Sequence, residues 1–510
     1  MVAGFGGCSP EMGWLPAIAA LSLVVSRGIT HLLMRPKNDM QLTFPFLNRA
    51  IWCAMMIACG IKSIAGQPTM PTTADKSKMP DWLTEFSVGV KETYDDNVLL
   101  VAGKTTPLNP IAMRPQDSWI TTISPTVGLN FAPRLGGGKT FQTLSLVYAP
   151  DFVFFHEMPS ENHNAHKIAS RIKGQTGDFT FLLANDFNFT DGTSTAPTYG
   201  LGSSVDQGDR CLNAYVPSIV RERRKHIQDQ AAVSLQYDLN KIFIRPAAAL
   251  KYYDLMTDWH PNTSGPYTGY QNYVDRSDVN GGVDFGCKVT SVLAVTLGYR
   301  YGHQYQQSLP TNIYSYTVNG LPMQSSSDYQ RLLLGLEGRP WKWLDIKLAG
   351  GPDFRTYNSA APVDDYNPTT YYAEAVLTAT LTPSQTLTFN YRQWQWVSSG
   401  GRIPYFDSTY ALTYHWNATR NLGIDLGGKF LEGDYTVGSA TLSHNLSRRD
   451  DAFYNLSAGV SYAFTQHFTT SLAYVCDLGR NLEPNLPANS YPEYREFSHQ
   501  TISLSAKYKF

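Results

Sequence analysis

From about residue 80 onward the chain alternates apolar and polar residues with a period of two, segment after segment. A chain patterned this way folds into strands with one greasy and one wet face. Phe86, Val88 and Val90 alternate with Ser87, Gly89 and Lys91, and Val127, Leu129 and Phe131 alternate with Gly128 and Asn130. The pattern recurs in Val233-Leu235-Tyr237-Leu239, Leu293-Val295-Leu297-Tyr299-Tyr301, Leu332-Leu334-Leu336, Leu387-Phe389-Tyr391, Leu422-Ile424-Leu426, Leu456-Ala458-Val460-Tyr462 and Ile502-Leu504-Ala506-Tyr508-Phe510. No comparable stretch has a helical period, so this part of the chain reads as nearly all β.

The connections separate a soluble sandwich from a membrane barrel. Short ones (Gly174 to Gly177, Asn240, Pro340 to Trp341, Pro383 to Ser384, Thr465 to His467) alternate with long ones rich in Gly, Pro, Ser, Asn and Asp (93–118, 151–163, 191–228, 254–272, 308–326, 355–369, 397–405, 433–451 and 480–496). That rhythm joins about 18 strands, with 16 as the lower count, into a transmembrane antiparallel up-and-down β-barrel with short periplasmic turns and long external loops. A propeller would need a repeat of about 40 to 50 residues, and no such signature is present. Trp82, Trp119, Trp341, Trp343, Trp394, Trp396 and Trp416 fall at strand ends, where aromatic girdles meet the two interfaces. Charged residues are only 16% and aromatics 13%, as a lipid-facing half of every strand requires. A net charge of -1 excludes a strongly basic nucleic-acid binder.

Residues 1–65 differ from the rest. Arg35, Lys37 and Arg49 precede the apolar run AIWCAMMIACGI, followed by Ser63-Ile64-Ala65, the order of a secretory signal. We expect an upstream extension plus signal peptide over 1–65, a short periplasmic segment over 66–82, and the barrel over 83–510. Met56-Ile57-Ala58-Cys59 also weakly resembles a lipoprotein cleavage box, and a buried soluble helix is the plain alternative. Cys211, Cys287 and Cys476 remain after such a leader, too few and too scattered for a disulfide framework.

A barrel of this width leaves an aqueous lumen unless a loop plugs it. Its inner wall is read from the polar half of each alternation: Lys91, Arg171, Arg276, Asp278, Asp284, Arg300, Glu337, Lys347, Glu374, Arg392 and Asp425, with Asp238, Asp345, Lys429, Lys507 and Lys509. Both signs are present, which predicts weak ion selectivity. Several of these charges are also expected simply to pair along the wall. The longest loop, 191–228, with its basic run Arg221-Glu222-Arg223-Arg224-Lys225, is the expected constriction, a lipopolysaccharide contact or a solvated loop.

Two further features carry a resemblance. Tyr94-Asp95-Asp96-Asn97, with Val98, follows the first strand, and the chain ends on TISLSAKYKF with Tyr508 and Phe510 in the greasy register. Together with the barrel rhythm, the YDDN element resembles the opening of a group of outer-membrane β-barrel porins that includes proteins found with exopolysaccharide operons. The last strand resembles the signal that such barrels present to their assembly machinery. On the residues alone, Asp95, Asp96 and Asn97 read either as a turn or as holders of a cation or of the first loop.

These readings converge on a channel in the outer membrane of a Gram-negative bacterium, passing small hydrophilic solutes by passive diffusion. A pore for polysaccharide export and a structural or adhesive barrel are the alternatives. The partners implied are outer-membrane lipid and lipopolysaccharide, the barrel-assembly machinery, and small solutes or polysaccharide; the class admits a homo-oligomer. His156, His163 and His166, with Glu157 and Glu161, are dense in metal-ligating groups but match no metal spacing, so neither metal nor cofactor is assigned. No Gly-x-Ser-x-Gly or His-Glu-x-x-His occurs, and Ser443-His444 and Ser498-His499 place neighbours on opposite strand faces, so no enzyme is expected.

Overall fold

The computed structural model describes residues 80–510 apart from 99, 101–114, 135–139, 193–224, 257–273, 309–316, 323, 398–403, 435–449 and 483–496. The expected leader and most of the 191–228 loop therefore lie outside the described residues. Twenty-one strands are described. They are β1 Leu83–Asp95, β2 Ser118–Asn130, β3 Phe141–Tyr148, β4 Asp151–Phe155, β5 His163–Thr176, β6 Phe179–Thr190, β7 His226–Leu239, β8 Ile242–Asp254, β9 Arg276–Lys288, β10 Leu293–Gln306 and β11 Thr317–Val318. They continue as β12 Leu321–Pro322, β13 Ser327–Trp341, β14 Leu344–Tyr357, β15 Thr369–Thr382, β16 Gln385–Trp396, β17 Tyr405–Asn417, β18 Leu422–Asp434, β19 Asp450–Ala463, β20 Phe468–Asn481 and β21 Phe497–Lys509.

β11 and β12 pair only with each other, as a small hairpin inside the long connection 307–326. Asn319 and Gly320, at φ 51° and 75°, supply the left-handed pair that a two-residue turn requires. β3 and β4 share one place in the wall, since both pair with β2 on one side and β5 on the other. The break between them falls at Ala149-Pro150, where proline has no N–H for the ladder. This corrects the reading of 151–163 as wholly external, because Asp151–Phe155 belongs to the wall. With that pair counted as one stave and the small hairpin set aside, eighteen antiparallel staves remain among the described residues. β1 bonds to β21, so the sheet closes on itself.

Residues directly opposite one another on paired strands share a face. One face of the wall carries Phe285, Leu297 and Leu334 in a row, 55%, 60% and 66% exposed, with Leu456 and Leu504 further round. Large apolar side chains this exposed in a closed sheet are lipid-facing, which makes the fold a transmembrane barrel. The strands run 12 to 15 residues where uninterrupted, enough to cross a bilayer when tilted. Short turns close one rim, and the strand ends that lead into the long connections lie at the other, with the YDDN element.

Candidate functional site at the lumen constriction

All sixteen residues read as inner wall fall on the face opposite the apolar band. Register alone places them there: Asp284 stands opposite Arg245, Arg300 opposite Arg331, Glu337 opposite Lys347, Glu374 opposite Arg392, and Asp425 opposite His415. Lys91 and Arg171 occupy the same face beside Thr122 and Ser145.

Much of the wall charge is already paired. Arg245 bridges Asp284 at 3.1 Å and Glu337 at 2.9 Å, and Arg300 reaches Asp284 at 2.7 Å, a network spanning β8 to β13. Lys347 and Glu374 lie 3.6 Å apart, Arg171 and Asp186 2.7 Å, Lys288 and Asp238 2.7 Å, and Lys507 and Glu85 2.6 Å. Arg339 pairs with Asp345, and Asp425 bonds His415. Arg245 is the hub that sequence reasoning missed: Pro246 and the alanines after it mask the alternation of β8.

The lumen narrows toward the long-loop rim, and the hairpin β16–β17 is what crosses it. Trp394, Gln395, Trp396 and Val397 are 5%, 1%, 1% and 0% exposed, so neither face of this segment meets lipid. Arg276 on β9 donates to the Val397 carbonyl at 2.9 Å, and Gln304 on β10 donates to the Gln395 carbonyl at 2.9 Å. From β14, Arg355 reaches the same Gln395 carbonyl at 3.2 Å. Lys251 on β8 sits 4.6 Å over the Trp394 ring and 4.9 Å over Trp396. Along the wall β8 and β16 are six strand spacings apart, about 29 Å at about 4.8 Å each, so these contacts run through the lumen. Trp394 and Trp396 therefore do not belong to a membrane girdle as their strand-end positions suggested. They form a buried cluster with Tyr253, Val397 and Tyr405. Trp119 and Trp341, in contrast, are exposed on the lipid face.

A second buried layer supports the crossing. Tyr329 donates to Asp278 at 3.0 Å, Gln304 donates to Asp278 at 2.9 Å, and Arg331 bonds Asp353 at 2.6 Å. Arg331 and Arg355 lie 4.1 and 5.0 Å from the Tyr329 ring. Arg392 packs 4.9 Å from Trp394, just inside the crossing. Arg331, Asp353, Gln304 and Lys251 were not singled out from sequence, because nothing in a local alternation tells a wall residue from one that meets a strand across the lumen.

The YDDN element sits at the closing seam. Asp95 accepts the Asn97 amide at 2.9 Å, Asp96 accepts the Gln500 amide at 2.7 Å, and the Asn97 side chain donates to the Ser498 carbonyl at 2.9 Å. Tyr94 donates to Asp117 at 3.1 Å, and its ring packs on Trp119. Burial holds the Asp96 carboxyl above its ordinary range, against the Gln500 amide that favours the charged form. At the other rim Phe510 donates its amide to the Phe86 carbonyl and packs on that ring, with Tyr508 beside it. The three clustered histidines do not converge. His163 bonds the Glu161 carbonyl inside, His166 stacks between Tyr148 and Phe189 on the other face, and His156 lies near Glu92.

No family model matches the chain, and no curated protein does. Among solved structures it is similar to the siderophore receptor PirA from Acinetobacter baumannii, at 9% identity over 84% of this chain and 81% of that one, with a TM-score of 0.37. It is also similar to the ferric citrate transporter FecA, at 11% identity over 85% and 80%, with a TM-score of 0.37. OccK5 (OpdH) of Pseudomonas aeruginosa matches at 9% identity over 84% and 98%, with a TM-score of 0.35. Strand register and the exposed apolar band define the barrel, and likenesses this distant add nothing to it.

Proposed function

We propose that the chain is a channel of the bacterial outer membrane that passes small hydrophilic solutes by passive diffusion, with the β16–β17 crossing as its narrowest level. The observation that carries this reading is the two-faced wall: outside a mainly apolar band, interrupted by the Asn185–Asp229 pair, and inside a lining rich in Ser, Thr, Asn and paired charges. Such a lining stabilises water and polar solutes where a filled core would not. Lipid and lipopolysaccharide surround the barrel in this reading, and Tyr508 and Phe510 serve its assembly machinery. Because most wall carboxylates already hold a cation, the wide part of the lumen discriminates little between ions, and selectivity is set at the crossing.

The test is reconstitution. Purified protein in planar bilayers is expected to give steady unit conductance, and in liposomes to admit small neutral sugars. A barrel that inserts but neither conducts nor admits sugar would overturn the reading in favour of a structural barrel.

A further inference from the structure

Beyond the channel reading, we propose that the outward face of β5 to β9 is the contact surface of a two-fold dimer, in which Asn185 and Asp229 meet the same pair of a second copy of this chain. The contact requires the transmembrane wall and not conduction through it. Asn185 and Asp229 stand within the apolar band. On β6 Leu183 precedes Asn185, and Phe187 and Phe189 follow it; on β7 Val233 and Ala231 lie on one side of Asp229 and Ile227 on the other. Register ties this row to the lipid-facing wall. Asn185 is opposite Ser170 and Ala231, Ala231 is opposite Leu250, and Leu250 is opposite Val279, which is 51% exposed. Both polar side chains are partly exposed on that face.

Hydrogen bonding of the pair is incomplete in a single chain. Asn185 donates to one Asp229 oxygen at 2.5 Å, and its amide otherwise reaches only the Gln230 carbonyl at 3.5 Å, at the limit of a hydrogen bond. Among the described residues nothing donates to the second Asp229 oxygen. Acyl chains carry no donor, and a carboxylate in hydrocarbon is costly unless paired, so the pair marks a contact surface. A second copy supplies what is missing. The pair holds both a donor and an acceptor, which makes it complementary to itself: about a two-fold axis along the membrane normal, β6 of one copy faces β7 of the other. The spare N–H of Asn185 then meets Asp229 of the partner subunit, and the spare oxygen of Asp229 meets Asn185 of the partner subunit. Small outward residues beside the pair let the two walls come close, as they do between membrane helices. These are Ser170, Ala231, Ala248 and Gly281, and a Cβ at Gly281 would touch only Ala248 and Ala247, at 3.7 and 3.8 Å. Leu183 and Val233, exposed in the single chain, are covered in the contact.

The experiment counts subunits in a bilayer. The full chain, with its own cysteines replaced by alanine and one fluorophore carried on Lys241→Cys in the exposed turn after β7, is reconstituted at high dilution in liposomes and bleached particle by particle. Two bleaching steps are expected. Asn185→Leu together with Asp229→Leu should leave one, whereas the exchanged pair, Asn185→Asp with Asp229→Asn, should restore two. Thr470→Leu, on the outward face of β20, should leave two. Strand content by circular dichroism shows whether each variant is folded. One step from the parent chain overturns the dimer, and three or more overturn its two-fold symmetry. Two steps from the double leucine variant, or one step from the exchanged pair or from Thr470→Leu, overturn this face as the contact. Conductance of the same preparations keeps the two proposals apart: two-step particles that do not conduct remove the passive channel alone, and conducting single-step particles remove the dimer alone.

Discussion

Asp95 on the first strand and His499 on the last stand 3.1 Å apart, carboxylate to imidazole Nε2, across the seam where the barrel closes. The other ring nitrogen of His499 lies 3.0 Å from Asp477 on β20, so one imidazole joins three consecutive staves. His499 is fully buried and Asp95 nearly so. Across this seam the first and last strands pair with each other, so side chains there supply what chain continuity supplies between consecutive staves. Removing one partner strands a buried charge. His499→Ala or Asp95→Asn should therefore destabilise the folded barrel by about 3 kcal/mol. Urea unfolding in liposomes is the measurement, and a midpoint within error of the parent would show that the clasp carries no stability.

That clasp also marks how far the sequence could be read. Closure, stave number and the inner face of Lys91, Arg276 and Glu374 follow from alternation and loop rhythm, because both are local. Asp95 and His499 are about four hundred positions apart in the chain, and no local pattern links them. The same holds for Trp396: at a strand end it is indistinguishable from Trp341 by sequence, yet one is sealed in the lumen and the other meets lipid. Asn319-Gly320 is different. It carries a readable hairpin signal inside the connection 308–326, where the long-loop rhythm hides it.

Trp396 holds the crossing through Lys251, Arg276 and Tyr253. Trp396→Ala removes that wedge and should raise unit conductance in planar bilayers, with a stability loss of about 3 kcal/mol or less because the void borders a wet lumen. Unchanged conductance in a folded variant would mean that the crossing does not limit flow.

Gly302 on β10 lies beneath the Tyr329 ring: a Cβ there would fall 2.3 Å from Tyr329 Cζ and 2.5 Å from its hydroxyl. Gly302→Ala must push the ring away from Asp278 and loosen the layer that supports Gln304. The expected cost is about 1 to 3 kcal/mol, with conductance shifted toward that of Trp396→Ala. A variant as stable as the parent, with the parent's conductance, would show that the ring has room to move.

Two wall ion pairs test how wet the lumen is. Arg245, Asp284 and Glu337 are 19%, 11% and 24% exposed, whereas Lys347 is 58% exposed beside Glu374. An exposed pair is screened by water and salt and adds little, whereas a shielded one leaves uncompensated carboxylates when its cation is lost. Arg245→Met should thus cost about 2 kcal/mol, and Lys347→Met about 0.5 kcal/mol or less. Raising the salt concentration should shrink the smaller effect first. Equal losses in the two variants, measured by urea unfolding at low and high salt, would mean that water reaches Arg245 as freely as Lys347 and that the lumen is open along its whole wall.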